Sequence, residues 1–252
     1  MKKYGGQLIY STHDEYGPIE VVDIGQRIRS LHFGNTTQQS SMFMFNPVVL
    51  MHKYTQAMLT SLCWHKPKTA LVLGLGAGAI SKYLLHFFPT LHVDAVELRP
   101  AVSVIAREYF SLPEVNDRFN IHHMPAEEFL RSSSPDTSQY DVILVDLFLT
   151  TKEQDINVDI STVIAHLKRL LSEHGSMSIN LIGMDYKAYS GFSQLKDEFD
   201  EFLYAIAVDS SNTVLLARHK RTPDVTESVD FTSLEKRLGL PFRQYFNKLQ
   251  AI

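Results

Sequence analysis

The glycine-rich segment at residues 71–79 constrains the fold of this chain more than any other feature. It reads LVLGLGAGA, and its three glycines stand between an apolar run and a helical pattern. Glycine adopts the backbone conformations of a tight turn without strain, and it allows a ligand to approach the backbone closely. The segment therefore predicts a strand, a turn and a helix, with a ligand at the turn. The residues that we assign to this ligand are Gly74, Gly76, Ala77 and Gly78.

Apolar runs alternate with helical patterns between residues 70 and 182. The strand-like runs are 70–73, 91–97, 119–122, 140–147 and 176–182, and helical patterns at 79–87, 101–110, 126–131 and 160–171 separate them. Such alternation is typical of βαβ units, which build a parallel sheet with helices on both faces. Two further runs, at 204–208 and 213–217, have only four residues between them. A parallel return needs a longer crossover, so these two strands are expected to form an antiparallel hairpin.

These patterns predict an α/β protein with a Rossmann-like, class I methyltransferase fold. Its doubly wound sheet is expected to be mostly parallel, with an antiparallel edge strand. The predicted domains are a small N-terminal β domain at 1–45, a nucleoside-binding catalytic domain at 46–225 and a C-terminal helical tail at 226–252. The catalytic domain is expected to begin with a linking helix within 46–67, because apolar residues recur at helical spacing from Pro47 to Leu62.

Composition and charge exclude several classes of partner. The 252-residue chain has a formal net charge of −4, which gives no electrostatic reason to expect nucleic acid. No apolar run approaches the ~20 residues that span a bilayer, and the polar start does not resemble a signal peptide. The single cysteine, Cys63, fits a reducing compartment, and the eleven histidines show no ligand spacing for a metal. We therefore expect a cytoplasmic protein that binds no membrane, no nucleic acid and no metal.

Two acidic residues are expected to join the glycine turn at one edge of the sheet. Glu97 ends the next strand along, ~20 residues after the glycine turn, and an acidic residue at this interval typically binds the ribose hydroxyls. Asp146 ends the apolar run YDVILVD, and a carboxylate there can hold an attacking amine and accept its proton. Three other interpretations stay open. The turn also fits the Gly-x-Gly-x-x-Ala pattern of dinucleotide sites, it can serve packing alone, and Asp146 can cap the turn that follows it.

The whole pattern resembles the spermidine synthase (polyamine aminopropyltransferase) family, and within it the bacterial spermidine-synthase-like branch. The motifs that carry the resemblance are LHFG at 31–34, QQS at 38–40, Pro47, Leu50 and Tyr54, LGLGAG at 73–78, VELRP at 96–100, AREYF at 106–110 with Leu112-Pro113, and YDVILVD at 140–146. The resemblance implies an N-terminal β domain joined to a Rossmann-like domain. It places Glu97 on the ribose and Asp146 at the position of the catalytic aspartate. We also assign Leu98 and Ala126 to the nucleoside site.

Several positions depart from the pattern of that family. True spermidine synthases have an aspartate at the position of Ala77 and, at the position of Pro125, an aspartate that binds the adenine amino group. They have a second aspartate at the position of Leu149. The Tyr-Gln pair of the N-terminal domain is replaced by Tyr16-Gly17. Each lost charged hydrogen bond typically costs ~1.5–3 kcal/mol, so these changes weaken the prediction that the chain makes spermidine efficiently.

Three functional hypotheses follow. The first is transfer of an aminopropyl group from decarboxylated S-adenosylmethionine to an amine acceptor. The second is methyl transfer from S-adenosylmethionine, which Ala77 favours because no acid repels that donor's carboxylate, whereas the absent Asn/Asp-Pro-Pro-Tyr motif speaks against it. The third is a non-catalytic nucleoside-binding or partner-binding protein of the same fold. None of them needs a prosthetic group, and a homodimer is one arrangement among those that the sequence leaves open.

Overall fold

The computed structural model describes residues 1–134, 139–151, 154–183, 185–219 and 229–252. Its strands are β1 (Lys2–Lys3), β2 (Gly6–Asp14), β3 (Gly17–Ile24), β4 (Ile28–His32), β5 (Ser40–Phe43), β6 (Thr69–Leu73), β7 (His92–Glu97), β8 (Phe119–His123), β9 (Tyr140–Val145), β10 (Phe148–Thr150), β11 (Asp155–Asn157), β12 (Leu171–Ile182), β13 (Leu203–Ala207), β14 (Asn212–Arg218) and β15 (Gln250–Ala251). Its α-helices are α1 (Lys53–Met58), α2 (Ala79–Phe87), α3 (Pro100–Phe110), α4 (Ala126–Ser132), α5 (Ile164–Leu170), α6 (Phe192–Phe199), α7 (Phe231–Leu238) and α8 (Phe242–Phe246). Short 3₁₀ helices occupy Leu59–Cys63, Ser161–Val163, Tyr186–Ala188 and Asp200–Phe202.

The first five strands form an antiparallel sheet in chain order. Three of them were predicted, whereas β1 and β5 were not, because two lysines and two serines carry little strand signal. The side chains of Ser40 and Ser41 are nevertheless buried, since β5 lies against the second half of the molecule. Ile19, Val21 and Leu31 of this sheet share an apolar cluster with residues of α3. The first sheet therefore packs directly on the helix that follows β7.

The second sheet has eight strands in the order β15-β13-β14-β12-β9-β6-β7-β8. The strands from β12 to β8 are parallel, and the chain reverses direction across the sheet next to β6. Neighbouring residues such as Leu71 and Val72 point to opposite faces, yet both are buried, because helices cover the two faces. The predicted α/β fold class, with a doubly wound and mostly parallel sheet, is confirmed. Ligands bind at the carboxyl ends of such strands, beside the point where the strand order reverses.

The end of the second sheet agrees with the prediction and adds detail to it. The antiparallel hairpin of β13 and β14 is confirmed, and the sheet ends in an antiparallel edge strand, β15, outside β13. β14 lies between β12 and β13, where every residue from Thr213 to Arg218 is buried. The tail was predicted as helical only. Instead α7 ends at Gly239, whose φ of +67° suits a left-handed helix cap, and α8 leads into β15.

The linking helix is shorter than predicted. The sequence prediction began it at Pro47, whereas α1 begins at Lys53 and continues as the 3₁₀ helix Leu59–Cys63. Pro47 lies instead in a turn, in which the backbone amide of Val49 donates to the carbonyl oxygen of Asn46. His52, directly before α1, has an extended backbone. Proline suits both a first helical turn and an isolated turn, so local preference alone did not separate the two.

The predicted boundary between residues 225 and 226 lies outside the described residues, and the division into domains stays a prediction.

Within the described ranges, no helix is both long and apolar enough to cross a membrane.

Candidate active site

The glycine turn brings the ends of three strands together. Gly74, Gly76 and Gly78 all have positive φ angles, of +90°, +51° and +72°. A Cβ atom at Gly74 would lie 2.2 Å from the carbonyl oxygen of Asp146. The backbone amide of Gly74 donates to Val96, and that of Asp146 donates to Leu73. Only glycine fits at position 74, and its close packing holds the exit of β9 against the exits of β6 and β7.

Glu97 closes this turn from the end of β7. One carboxylate oxygen, Oε2, accepts from the backbone amides of Leu75 at 3.1 Å and Gly76 at 3.4 Å. The other, Oε1, accepts from the amide of Arg99 at 2.9 Å. Burial raises the pKa of Glu97, although these three backbone hydrogen bonds lower it in part. The carboxylate thus shapes the turn, and the two oxygens, with about four acceptor sites between them, keep capacity for a further donor.

A cavity of about 170 Å³ lies beside Glu97. Its lining contains the predicted site residues Gly74, Glu97, Leu98, Ala126 and Asp146, together with Phe33, Met124, Pro125 and Leu149. A smaller cavity of about 80 Å³ continues from it and is lined in part by Gly76 and Asp146. The structure therefore brings six of the eight predicted site residues to one cleft.

Ala77 and Gly78 do not line these cavities, unlike the other predicted site residues. The side chain of Ala77 is buried in the apolar cluster between the first sheet and α3, and its amide donates to Oγ of Ser40 at 3.1 Å. A Cβ atom at Gly78 would lie 2.4 Å from Leu112. Both positions pack against the rest of the protein, and the assignment of Ala77 and Gly78 to the ligand stays a prediction.

Asp146 lies just beyond β9, and it lines both cavities. Its Oδ1 accepts a hydrogen bond of 3.0 Å from Nδ2 of Asn180. Burial raises the pKa of Asp146 to about 6, although the interactions with Asn180 and with the hydroxyl of Tyr54 lower it in part. A carboxylate in this position is ionised at neutral pH and is a stronger base than an ordinary aspartate.

Asn180 is a site residue that the sequence prediction missed. It lies near the end of β12, is buried, and accepts at Oδ1 a hydrogen bond of 3.0 Å from Nδ2 of Asn212. That bond orients the amide so that its NH₂ group faces Asp146. The signal that could have revealed it is the amide side chain inside the apolar strand run SINLI, since a buried polar group needs a partner.

A second, larger cavity of about 450 Å³ is lined in part by Asn180, the hydrogen-bond partner of Asp146. The residues that line it are Thr37, Gln38, Gln39, His52, Lys53, Tyr54, Phe148, Gln154, Asp155, Asn180, Ile182, Asp209, Ser211 and Asn212. Phe148 also lines both smaller cavities, so the three cavities adjoin, and we call them together the cleft. Tyr54 stands at the junction, and burial together with the charges of Asp146 and Asp155 raises the pKa of its hydroxyl well above the ordinary value.

The hairpin of β10 and β11 covers this part of the cleft, and the sequence did not predict it. Two side chains that precede β5 tether it to the first sheet. Nδ2 of Asn35 donates to the carbonyl oxygen of Thr151 at 3.1 Å, and Nε2 of Gln39 donates to Oδ2 of Asp155 at 2.8 Å. The cleft is therefore bounded on one side by the parallel sheet and on the other by the first sheet and this hairpin.

Comparison with known proteins identifies the family. No family model matches the chain. A polyamine aminopropyltransferase from Chromobacterium violaceum is 30% identical over 237 residues, which cover 92% of this chain and 89% of that protein. The chain belongs to the polyamine aminopropyltransferase family. The resemblance seen in the sequence motifs is thereby confirmed, and the chain is a transferase.

Solved structures support the same fold. One of them is a probable spermidine synthase from Corynebacterium glutamicum, which is 20% identical in sequence and has a TM-score of 0.73. The match covers 98% of the chain described here and 95% of the Corynebacterium chain. Human methyltransferase-like protein 13, solved in complex with SAH, matches 80% of this chain and 95% of its own, with a TM-score of 0.60 and 20% identity. The class I methyltransferase fold is thus common to both.

Two of the positions at which this chain departs from its family pattern lie at the 170 Å³ cavity. Leu149 is half exposed and lines this cavity, and Pro125 lines it as well.

The predicted absence of a metal site stays a prediction. The described part of the chain has no group of three or more histidine, cysteine, aspartate or glutamate side chains that could hold a metal ion.

Proposed function

We propose that this protein transfers the aminopropyl group of decarboxylated S-adenosylmethionine to a primary amine and releases methylthioadenosine. The observation that carries the proposal is the position of Asp146. This half-buried carboxylate lines both the cavity at Glu97 and the 80 Å³ cavity, and the latter shares Tyr54 with the larger cavity. The membership of the aminopropyltransferase family agrees with that arrangement.

The cavity at Glu97 is the proposed nucleoside site. Glu97 accepts hydrogen bonds from the ribose hydroxyls, and Leu98 and Ala126 contact the base. Gly74 and Gly76 leave room for the sulfonium end of the donor to pass close to the backbone. Met124 and Pro125 add apolar surface where the family pattern has an acid, so the adenine is held here by packing more than by a charged hydrogen bond.

The amine acceptor is proposed to enter from the larger cavity. An alkylamine has a pKa near that of lysine, ~10.4, so it arrives as an ammonium. Asp146 binds this ammonium and takes one proton, which leaves a lone pair on nitrogen for in-line attack on the carbon beside the sulfonium. A carbon–nitrogen bond forms and the carbon–sulfur bond breaks with its electron pair on sulfur, so neutral methylthioadenosine leaves. The secondary amine product carries the positive charge that the sulfonium had, and the proton on Asp146 passes to water.

The test is to incubate the purified protein with a diamine and either decarboxylated S-adenosylmethionine or S-adenosylmethionine, and to identify the products by mass spectrometry. We expect methylthioadenosine and a diamine enlarged by one aminopropyl group. A methylated amine with S-adenosylhomocysteine would replace this proposal with methyl transfer. No product from either donor, in a preparation that binds neither nucleoside, would support the non-catalytic hypothesis. We further propose that the protein is cytoplasmic and binds no nucleic acid. A homodimer is a further proposal, and sedimentation would test it.

A further inference from the structure

The charged groups around the 450 Å³ cavity differ in how much of their hydrogen-bonding capacity is already used. Its formally charged lining residues are Lys53, Asp155 and Asp209. Lys53 is exposed. Asp209 is also exposed, and its Oδ1 accepts from the backbone amides of Ser211 and Asn212, so it shapes the turn between β13 and β14.

Asp155 is different, because only one of its carboxylate oxygens is satisfied. Oδ2 accepts the hydrogen bond from Nε2 of Gln39. Oδ1 is buried and has no hydrogen-bond partner among the described residues. A buried carboxylate oxygen without a donor is unfavourable. Because Asp155 also lines the cavity, a donor that arrives there with a ligand can pair with this carboxylate once the side chain turns toward it. An ammonium group offers three N–H donors and the opposite charge.

Asp155 and Asp146 line neighbouring cavities that share Tyr54. Tyr54 lines both the 450 Å³ cavity and the small cavity at Asp146. It shares the lining of the first cavity with Asp155 and that of the second with Asp146, so Tyr54 lies between the surroundings of the two carboxylates. An extended molecule with two cationic ends can therefore face one carboxylate at each end.

We propose that Asp155 binds the distal ammonium of a diamine or polyamine whose other amine is held by Asp146. The inference rests on the proposed function, since Asp146 is taken to hold the reacting nitrogen. It also gives Leu149 a physical context. Leu149 lines the nucleoside cavity, whereas the carboxylate that faces the acceptor cavity comes from β11, six residues later.

The experiment compares a diamine with a monoamine of equal chain length, such as 1,4-diaminobutane and butylamine, in the wild type and in Asp155→Asn. Asparagine keeps an oxygen for Gln39 and removes the charge. We expect the ratio of kcat/KM for the diamine to that for the monoamine to fall by about ten- to a hundredfold, mainly through KM of the diamine. KM of the donor should not follow this change.

The matched control is Asp117→Asn, which removes the same charge from an exposed aspartate before β8, at the opposite edge of the sheet. Its diamine-to-monoamine ratio should equal that of the wild type. An unchanged ratio in Asp155→Asn would overturn the proposal, and so would equal losses for the diamine and the monoamine, because these would indicate a structural role of the hairpin.

A second variant and a binding measurement keep the inference testable by themselves. Asp155→Glu retains the charge and extends it by one methylene, so the preferred diamine should become shorter, and an unchanged chain-length preference would contradict the assignment. Calorimetric titration of 1,4-diaminobutane in the presence of methylthioadenosine needs no turnover. Weaker binding in Asp155→Asn by about tenfold or more would support Asp155 even if no aminopropyl transfer were found, and equal binding would refute it.

Discussion

Asp146→Asn is expected to slow catalysis and to stabilise the folded protein at the same time. The substitution keeps the shape of the side chain and leaves an oxygen that can accept the hydrogen bond from Asn180. It removes the charge that binds the ammonium and the base that takes its proton. Loss of such an acid–base group typically lowers the rate by ~10²–10⁴. Nucleoside affinity should stay close to that of the wild type, because the contacts at Glu97 are unchanged.

The magnitude of the stabilisation follows from the pKa of Asp146. Burial raises it from 3.8 to about 6, so the folded state disfavours the ionised form by about 3 kcal/mol at neutral pH. The neutral asparagine avoids this cost, and the free energy of unfolding should rise by an amount of that order at about pH 8. Between about pH 6 and about pH 4 the folded wild type holds its proton more tightly than the unfolded chain. The stability of the wild type therefore increases relative to the variant as the pH falls, and the difference should vanish near pH 4.

The assays are urea unfolding at several pH values and the initial rate of methylthioadenosine formation. Asp117→Asn is the control, since replacing this exposed aspartate should change the free energy of unfolding by less than about 0.5 kcal/mol. Equal unfolding curves of the wild type and Asp146→Asn at pH 8 would refute the conclusion that burial perturbs this carboxylate. An unchanged transfer rate would refute its role as the base and would leave it as a structural strand-end residue.

Three further predictions address the rest of the cleft. Glu97→Ala should weaken nucleoside binding by ~1.5–3 kcal/mol in calorimetry, and equal affinity would remove Glu97 from the ribose. The value of kcat/KM should rise with pH as Asp146 loses its proton, with a midpoint at about pH 6. Asn180→Ala should move this midpoint to higher pH, because it removes a hydrogen-bond donor to the ionised carboxylate. Coincident pH profiles of the wild type and Asn180→Ala would contradict this role of Asn180. Gly74→Ala should lower the melting temperature, since its Cβ would lie 2.2 Å from a backbone oxygen, and an unchanged melting temperature would show that the turn adapts.

Much of the fold and part of the site could be predicted because their signals are local. The run LVLGLGAGA specifies a strand, a turn and a helix within nine residues. The rules of parallel βαβ connection then place the ends of β6, β7 and β9 at one edge, which brings Gly74, Glu97 and Asp146 together. The apolar runs of these strands are continuous because both faces of the sheet are covered.

The prediction was incomplete where the decisive contact joins residues that are distant in the chain. The sequence of β13 and β14 indicates a hairpin, but it does not state which strand pairs with β12. Ala77 belongs to the glycine turn by sequence, yet the first sheet covers its side chain. Asp155, Gln39 and Asn180 come from three separate segments, and none of them carries a local motif.

The sequence by itself determined the fold class, the glycine turn, the positions of Glu97 and Asp146, and the family to which the chain belongs. Only the tertiary structure decided that β14 lies inside the sheet, that β15 returns to its edge, and that a hairpin brings Asp155 to the wall of the 450 Å³ cavity. The physical reason is that local backbone preference and apolar periodicity act over a few residues. Strand pairing, burial and the pKa of a carboxylate depend instead on groups that meet only when distant segments pack together.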